Sequence, residues 1–110
     1  MERFTIGNVV MVQFPFSNLG GQKLRPALVL AKAEFNNLIL CQITSKPYSS
    51  KIAIKLSAPD FTEGNLPVVS YIRPDKLFTA EFSIVEKIVG KLSEKKLRVV
   101  LKAIQKIFTA

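Results

Sequence analysis

Apolar and polar residues alternate with a period of two through most of the chain, which is typical of β-strands with one buried face. The strictest example lies at residues 51–56, where every second residue is isoleucine or leucine. Clusters of Gly, Pro, Asn and Ser separate the apolar segments and predict turns. The pattern predicts strands at residues 9–14, 26–31, 38–44, 51–56, 67–72 and 84–92, with a polar connection at residues 60–65.

The last part of the chain changes to a helical period. Ser93 is a suitable N-cap, and six apolar residues fall on one helical stripe: Leu97, Val100, Leu101, Ile104, Ile107 and Phe108. The opposite side is basic, and we interpret it as a solvated surface in preference to a docking face. Many short strands followed by one helix predict a mainly β protein, a small barrel or sandwich covered by a C-terminal amphipathic helix.

Length and charge limit the organisation and the partners. The chain has 110 residues, so residues 1–110 are expected to form a single domain. It has neither a basic start followed by an apolar segment nor an apolar run of membrane-spanning length, so we expect a cytoplasmic protein without membrane contact. Sixteen Lys and Arg against eight Asp and Glu give a net charge of +8, which favours anionic partners such as nucleic acid or an acidic protein.

The composition also excludes several kinds of chemistry. Histidine is absent, which removes His-based acid–base catalysis, Ser-His-Asp arrangements and imidazole metal ligation. Cys41 is the only cysteine, which excludes an intramolecular disulfide and a cysteine-rich zinc site. The carboxylates are scattered without metal-ligand spacing, so we expect no metal and no cofactor.

One polar segment lies at the entrance of a predicted strand. Residues 23–26 are Lys-Leu-Arg-Pro, and the proline restricts Arg25 to extended backbone angles. Its guanidinium presents a fork of donors suited to phosphate oxygens, although a rim ion pair is the commoner use of a single arginine. A second segment, Thr44-Ser45-Lys46, lies where a strand ends, and its hydroxyls could bind a phosphate or satisfy the turn.

A third polar segment is Arg-Pro-Asp-Lys at residues 73–76. We expect Pro74 to break the strand there and to place an acid between two bases. A salt bridge in a tight corner, without a function, is the alternative interpretation.

In chain order, these segments resemble the PemK/MazF toxins of bacterial type II toxin–antitoxin modules. Four blocks carry the resemblance: Gly-Asn-Val-Val at 7–10 leading into Phe-Pro-Phe at 14–16, Leu-Arg-Pro-Ala-Leu-Val-Leu at 24–30, Ile-Thr-Ser at 43–45 and Arg-Pro-Asp-Lys-Leu at 73–77. The resemblance extends from about residue 6 to the C-terminal helix.

The resemblance implies a small SH3-like barrel of the CcdB/Kid/MazF type with a C-terminal helix, assembled as a homodimer. It implies sequence-specific cleavage of single-stranded RNA without metal, through attack of the 2′-hydroxyl to give a 2′,3′-cyclic phosphate. A cognate antitoxin is the implied protein partner, with operator DNA bound through the antitoxin complex. Catalytic roles are implied for Arg25 and Thr44 and, from the Kid branch, for Arg73 and Asp75.

For such a reaction Arg25 suits stabilisation of the phosphorane, and Thr44 suits a hydrogen bond to a non-bridging oxygen. Which of Arg25, Arg73 and Asp75 acts as acid or base stays open. Substrate binding is assigned to Lys23, Ser45, Lys46, Lys76 and Phe16.

Two other functions are compatible with the sequence. The first is a basic barrel that binds nucleic acid without cleaving it, with Phe14, Phe16 or Tyr71 stacking on bases. The second is a CcdB-like toxin that acts on gyrase. Such toxins act through a C-terminal tryptophan segment, and this chain contains no tryptophan, so we rank that function last.

Overall fold

The computed structural model describes residues 4–15, 22–46 and 50–109. Seven strands precede one helix, and their bounds are β1 (Asn8–Pro15), β2 (Gln22–Ala33), β3 (Asn37–Thr44), β4 (Ile54–Leu56), β5 (Phe61–Gly64), β6 (Ser70–Glu81), β7 (Val85–Leu92) and α1 (Glu94–Thr109). Two 3₁₀ turns, Ala58–Asp60 and Phe82–Ile84, flank β5 and β7. The predicted mainly β fold with a C-terminal helix is confirmed.

All the strands belong to one antiparallel sheet in the order β4-β6-β3-β2-β1-β7-β5. The sheet curls into a half-barrel. Because β5 is one edge of the sheet and β6 lies next to the other edge, the connection between them, residues 65–69, crosses from one side of the half-barrel to the other. This crossing brings segments that are distant in the sheet order close together.

Apolar clusters lie on both faces of the central strands, because side chains alternate between the two faces along each strand. On β3, Leu38 and Leu40 belong to one apolar cluster, and Cys41 and Ile43 belong to the other. Each fully buried leucine or isoleucine contributes roughly 1.5–3 kcal/mol to stability, so β3 fixes the register of the sheet from both sides.

The helix α1 covers the second cluster with Val100 and Ile104, and it packs against β6. It begins where the sequence predicts, since the Ser93 hydroxyl accepts a hydrogen bond from the Lys96 amide at 3.1 Å. The predicted stripe ends earlier than expected, because Phe108 remains 75% exposed.

Three of the predicted boundaries are wrong. Residues 51–52 form a turn, so the strand predicted at 51–56 begins only at Ile54. The strand predicted at 67–72 begins at Ser70 and continues to Glu81, because residues 65–69 cross over the half-barrel. The predicted polar connection at 60–65 contains β5, an edge strand whose residues after Phe61 are exposed.

The prediction that Pro74 breaks the strand is also wrong. On β6, Ile72 pairs with Ile43 and Leu77 pairs with Cys41, so four residues of β6 lie opposite the single residue Gln42. The chain therefore bulges at residues 73–76 and then resumes its pairing. A proline fits there because a bulged residue need not donate a hydrogen bond to the ladder.

Candidate functional site

A cavity of about 570 Å³ opens where β2 and β3 separate at one end of the sheet. The β2–β3 ladder ends at the pair Ala27 and Gln42, while β2 continues to pair with β1 and β3 continues to pair with β6. Pro26 follows the last pair on the β2 side, and proline has no amide hydrogen with which to extend a ladder.

Arg25 and Thr44 both line this cavity. They lie two residues beyond the last β2–β3 pair, so the register places them opposite each other across the opening. Lys23, Ser45 and Lys46 line the same cavity, so two of the three predicted polar segments come together. Of the residues predicted to bind substrate, Phe16 lies outside the described residues.

Thr44 is buried, with 8% of its surface exposed. Its Oγ1 accepts a hydrogen bond from the Lys46 amide at 3.2 Å, which is the turn interaction expected of a hydroxyl at a strand end. That bond uses a lone pair of the oxygen and leaves the hydroxyl hydrogen able to donate. Thr44 can therefore hold the turn and donate to a ligand in the cavity at the same time.

The opposite wall comes from parts of the chain that the sequence did not indicate. Asn65, Leu66, Pro67 and Val68 contribute from the crossing connection, and Lys87 contributes from β7. Alternation along β7 could have identified Lys87, because Lys87 and Val89 are two residues apart and both line the cavity. No local signal marks residues 65–68, since the curl of the sheet alone brings them to this place.

The charge of the cavity has one sign. Four cations line it, Lys23, Arg25, Lys46 and Lys87, and no carboxylate does so among the residues described. A cleft lined by charges of one sign raises the local concentration of ligands of the opposite charge, so this arrangement favours an anionic ligand.

The cavity also offers apolar surface to a ligand. Leu24 is 46% exposed and Val68 is 58% exposed, and both line it. A ligand with several phosphates and flat apolar rings would use both kinds of surface, and single-stranded nucleic acid has that composition.

The third predicted segment lies elsewhere. Arg73, Asp75 and Lys76 are not among the residues that line the cavity. Arg73 Nε and Nη2 donate to the Asp75 carboxylate, each at 3.4 Å, so the two side chains form an ion pair along the bulge of β6. This is the salt bridge given above as the alternative interpretation.

Cys41 lies beside this bulge, and its Sγ donates a hydrogen bond to the Arg73 carbonyl oxygen at 2.8 Å. Burial, with a smaller contribution from the negative charge of Asp75, raises the pKa of the Cys41 thiol to about 12, and Arg73 acts in the opposite direction. The thiol is therefore neutral at ordinary pH and does not act as a nucleophile.

Across residues 4–15, 22–46 and 50–109, no group of three or more Cys, Asp or Glu side chains is placed to hold a metal ion. Nor is any described helix both long enough and apolar enough to cross a membrane.

A family model described as "PemK-like, MazF-like toxin of type II toxin-antitoxin system" matches residues 5–108 of the chain. No curated protein matches the chain significantly.

Solved structures with this fold include a MazE–MazF complex from Deinococcus radiodurans, with 20% identity, 94% of each chain covered and a TM-score of 0.76. An endoribonuclease in complex with its cognate antitoxin from a mycobacterial species has 12% identity, covers 99% of this chain and 96% of its own, and has a TM-score of 0.72. The Mycobacterium tuberculosis toxin MazF-mt6 has 19% identity, with 93% and 96% covered and a TM-score of 0.71. At these identities the likeness shows the fold.

Proposed function

We propose that this chain, which belongs to the family of PemK-like, MazF-like toxins of type II toxin–antitoxin systems, is an endoribonuclease that cleaves single-stranded RNA. One observation carries the proposal: four cations and the Thr44 hydroxyl line a single cavity that no described carboxylate lines. Proteins of this fold that are described as endoribonucleases support it.

The proposed reaction is attack of a ribose 2′-hydroxyl on the adjacent phosphorus. The new bond from the 2′-oxygen to phosphorus forms as the bond to the 5′-oxygen breaks. The 2′-hydroxyl loses its proton and the 5′-oxygen gains one, which leaves a 2′,3′-cyclic phosphate and a free 5′-hydroxyl. The phosphorane between these states carries more negative charge than the substrate, so fixed cations and donors lower the barrier. DNA lacks the 2′-hydroxyl and would bind without being cut.

Arg25 is assigned to the phosphorane, because its planar guanidinium can donate two parallel hydrogen bonds to phosphate oxygens. Thr44 is assigned a hydrogen bond to a non-bridging oxygen, given by the hydroxyl hydrogen that the Lys46 turn leaves available. Lys23, Ser45 and Lys46 are assigned to binding the flanking phosphates. The charged residues described in the cavity wall are lysines and an arginine, whereas a divalent metal would need carboxylate ligands. The reaction is therefore expected to need no metal.

The test is incubation of the purified protein with a mixed single-stranded RNA pool in EDTA, with the products mapped by their ends. Cleavage that leaves 2′,3′-cyclic phosphates is expected. Arg25→Ala should reduce the rate about 10²–10³-fold, the usual cost of losing a donor to a developing oxyanion. Arg25→Lys should recover only part of it, because a lysine keeps the charge and loses the fork.

Thr44→Val keeps the shape of the side chain and removes the hydroxyl, and we expect it to slow cleavage about 10–100-fold, the worth of a hydrogen bond to a charged group. Thr44→Ser is the matched control, since it keeps the hydroxyl. Binding of the pool without any cleavage would favour the non-catalytic barrel. Cleavage that EDTA abolishes would contradict the assignment of the reaction to these side chains.

The proposal extends to partners and location. An antitoxin segment that is acidic or amphipathic would compete with RNA for the basic cavity, and two of the similar structures are complexes with antitoxins. A homodimer is proposed as the assembly, with operator DNA bound through the antitoxin complex. Because its substrate is RNA, the toxin would act in the cytoplasm.

A further inference from the structure

Asn65 has an unusual environment in the cavity wall. Its amide N–H donates to the Val89 carbonyl oxygen at 3.2 Å, and its side-chain Oδ1 accepts from the Leu66 amide at 2.8 Å. The carbonyl end of the carboxamide is thus held by the chain itself, and no hydrogen bond from Nδ2 is found among the described residues. Asn65 lines the cavity, and its Nδ2 carries two N–H donors.

The backbone next to Asn65 is held in place at two glycines, Gly64 and Gly90, where the neighbouring strand leaves no room for a side chain. Gly64 has φ +66°, and a Cβ there would lie 2.0 Å from the Val89 carbonyl oxygen. A Cβ on Gly90 would lie 2.8 Å from the Glu63 carbonyl oxygen. The end of β5 therefore lies directly against β7, and the direction of the Asn65 side chain is set before a ligand arrives.

The surroundings of Asn65 suit a nucleobase better than a phosphate. Its neighbours along the chain, Leu66, Pro67 and Val68, are apolar, and Lys87 of β7 is the one described cation on the same wall. The other three described cations of the cavity lie across from it, on β2 and just after β3. Flat bases contact apolar surface with their faces and present hydrogen-bonding groups at their edges. Phosphate contacts give no sequence information, whereas contacts to base edges do.

We propose that Asn65 selects one base of the RNA, and that it accepts uracil or guanine, which carry a carbonyl oxygen at pyrimidine C4 or purine C6, over cytosine or adenine, which carry an amino group there. Two N–H donors match the O4 of uracil or the O6 of guanine. At the same positions cytosine and adenine present amino groups, which are donors themselves and cannot accept a hydrogen bond from Nδ2. This inference rests on the proposed RNA cleavage and adds the class of base that the cavity accepts.

The test compares the cleavage ends from a mixed RNA pool for the wild-type protein, Asn65→Asp and Asn65→Ala. In the wild type, one position near the cut should be U or G, with about 10–100-fold discrimination. Asn65→Asp keeps an oxygen for the Leu66 amide and replaces both donors by an acceptor, so that position should change to C or A. Asn65→Ala should lose the preference at that position and keep it elsewhere.

Two further variants separate this effect from charge and from general binding. Gln105→Glu makes the same amide-to-acid change on the exposed side of α1, so it should leave the base preference unchanged. Lys87→Gln removes a cavity cation and should slow cleavage of all sequences alike, as expected for a phosphate contact.

The same pool made with 2′-deoxy nucleotides provides a binding selection with the same variants. If the wild type and all variants cleave with the same base preference at every position around the cut, the role of Asn65 is overturned and the proposed function stays intact. An absence of cleavage by the wild type would count against the proposed function, and the binding selection would still decide whether Asn65 discriminates between bases.

Discussion

Single side chains in the cavity combine a structural and a chemical role. The Thr44 hydroxyl accepts from the Lys46 amide and keeps a hydrogen to donate, and the Asn65 carboxamide accepts from the Leu66 amide and keeps two. In both cases the backbone bond fixes the rotamer, so less conformational entropy is lost when a ligand binds. The two residues therefore act as preorganised donors. Thr44 lies where β2 and β3 separate, and Asn65 lies on the opposite wall of the cavity.

Asp75 is predicted to be dispensable for RNA cleavage within about tenfold, although the resemblance to the Kid branch implies a catalytic role for it. Its carboxylate pairs with Arg73 along the β6 bulge and does not line the cavity. A general base contributes about 10²–10⁴-fold to a rate, so the two roles are easily separated. The measurement is the single-turnover cleavage rate of Asp75→Asn against that of the wild type.

Arg73→Gln serves as the companion variant, because it breaks the same ion pair from the other side. Similar small effects of the two substitutions would fit a pair that shapes the bulge. A loss of more than about 100-fold in Asp75→Asn alone, with folding unchanged, would show that Asp75 takes part in proton transfer.

The Cys41 thiol gives a prediction about alkaline stability. Its pKa rises from 9.0 to about 12 on folding, mainly through burial, so the unfolded chain loses this proton first. Between those values the unfolded state binds fewer protons than the folded state, and stability falls as the pH rises.

The measurement is urea unfolding of the wild type and of Cys41→Ala at about pH 8 and about pH 10.5. The advantage of the wild type should shrink by about 2 kcal/mol between them, at 1.36 kcal/mol for each unit above the unfolded pKa. Lysines titrate in both proteins and cancel in the comparison. An advantage that does not change with pH would mean that the thiol is not shielded in the folded state.

At the scale of elements, Asp60 joins the 3₁₀ turn to the first turn of α1. Its Oδ2 accepts from the Ser57 amide at 2.9 Å, its backbone carbonyl accepts from the Ser93 amide at 2.8 Å, and its Oδ1 lies 3.6 Å from Lys96 Nζ. These contacts hold the N-terminus of the helix against the end of the sheet. Asp60 thus anchors the start of α1, in addition to the apolar packing of Val100 and Ile104.

Asp60→Ala is predicted to lower the free energy of unfolding by about 1–2 kcal/mol, because it removes the cap of the Ser57 amide and the partner of Lys96. The check is urea unfolding followed by circular dichroism. Arg98→Gln is the control, since its ion pair with Glu94 is 73% and 86% exposed, and such pairs contribute at most about 0.5 kcal/mol. Equal effects of the two substitutions would show that the Asp60 contacts do not hold the helix.

Local patterns predicted the elements whose stability is local. Alternation identified β3, and the Ser93 cap with its apolar stripe identified α1. Alternation could not identify β5, because an exposed edge strand buries little of either face. The prediction of a strand break at Pro74 was wrong because it rested on the general effect of proline. Pro74 lies in a bulge opposite Gln42, where its missing amide hydrogen is not needed for the ladder, and the strand continues.

The side of the cavity that is formed by neighbouring strands could be predicted from local sequence patterns. Arg25 and Thr44 belong to short segments whose residue types suggest phosphate binding, and neighbouring strands bring them together. Asn65 and Lys87 reach the cavity through the curl of the whole sheet, and no short segment encodes that curl. The catalytic roles implied for Arg73 and Asp75 would require both side chains to reach this cavity, and they do not line it. The direction in which a bulge turns side chains cannot be predicted from sequence spacing.

At the scale of the whole molecule, two basic surfaces carry eight of the sixteen Lys and Arg residues of the chain. One is the cavity with its four cations, and the other is the exposed side of α1, which carries Lys95, Arg98, Lys102 and Lys106. A general attraction to RNA would use both surfaces, whereas a specific site would use only the first. The dependence of binding on salt distinguishes the two cases, because it counts the phosphates that are neutralised.

We predict that binding of a single-stranded RNA with one 2′-deoxy nucleotide at the cut site weakens with salt at a log–log slope of about −3, since four contacts contribute about 0.7 each. Lys87→Gln should reduce the slope by about 0.7, because it removes one cavity cation. Lys102→Gln on α1 should leave the slope unchanged, because its charge faces solvent away from the cavity. Equal reductions by the two substitutions, with a wild-type slope steeper than about −5, would mean that RNA also follows the helix and that the cavity is only part of a larger basic surface.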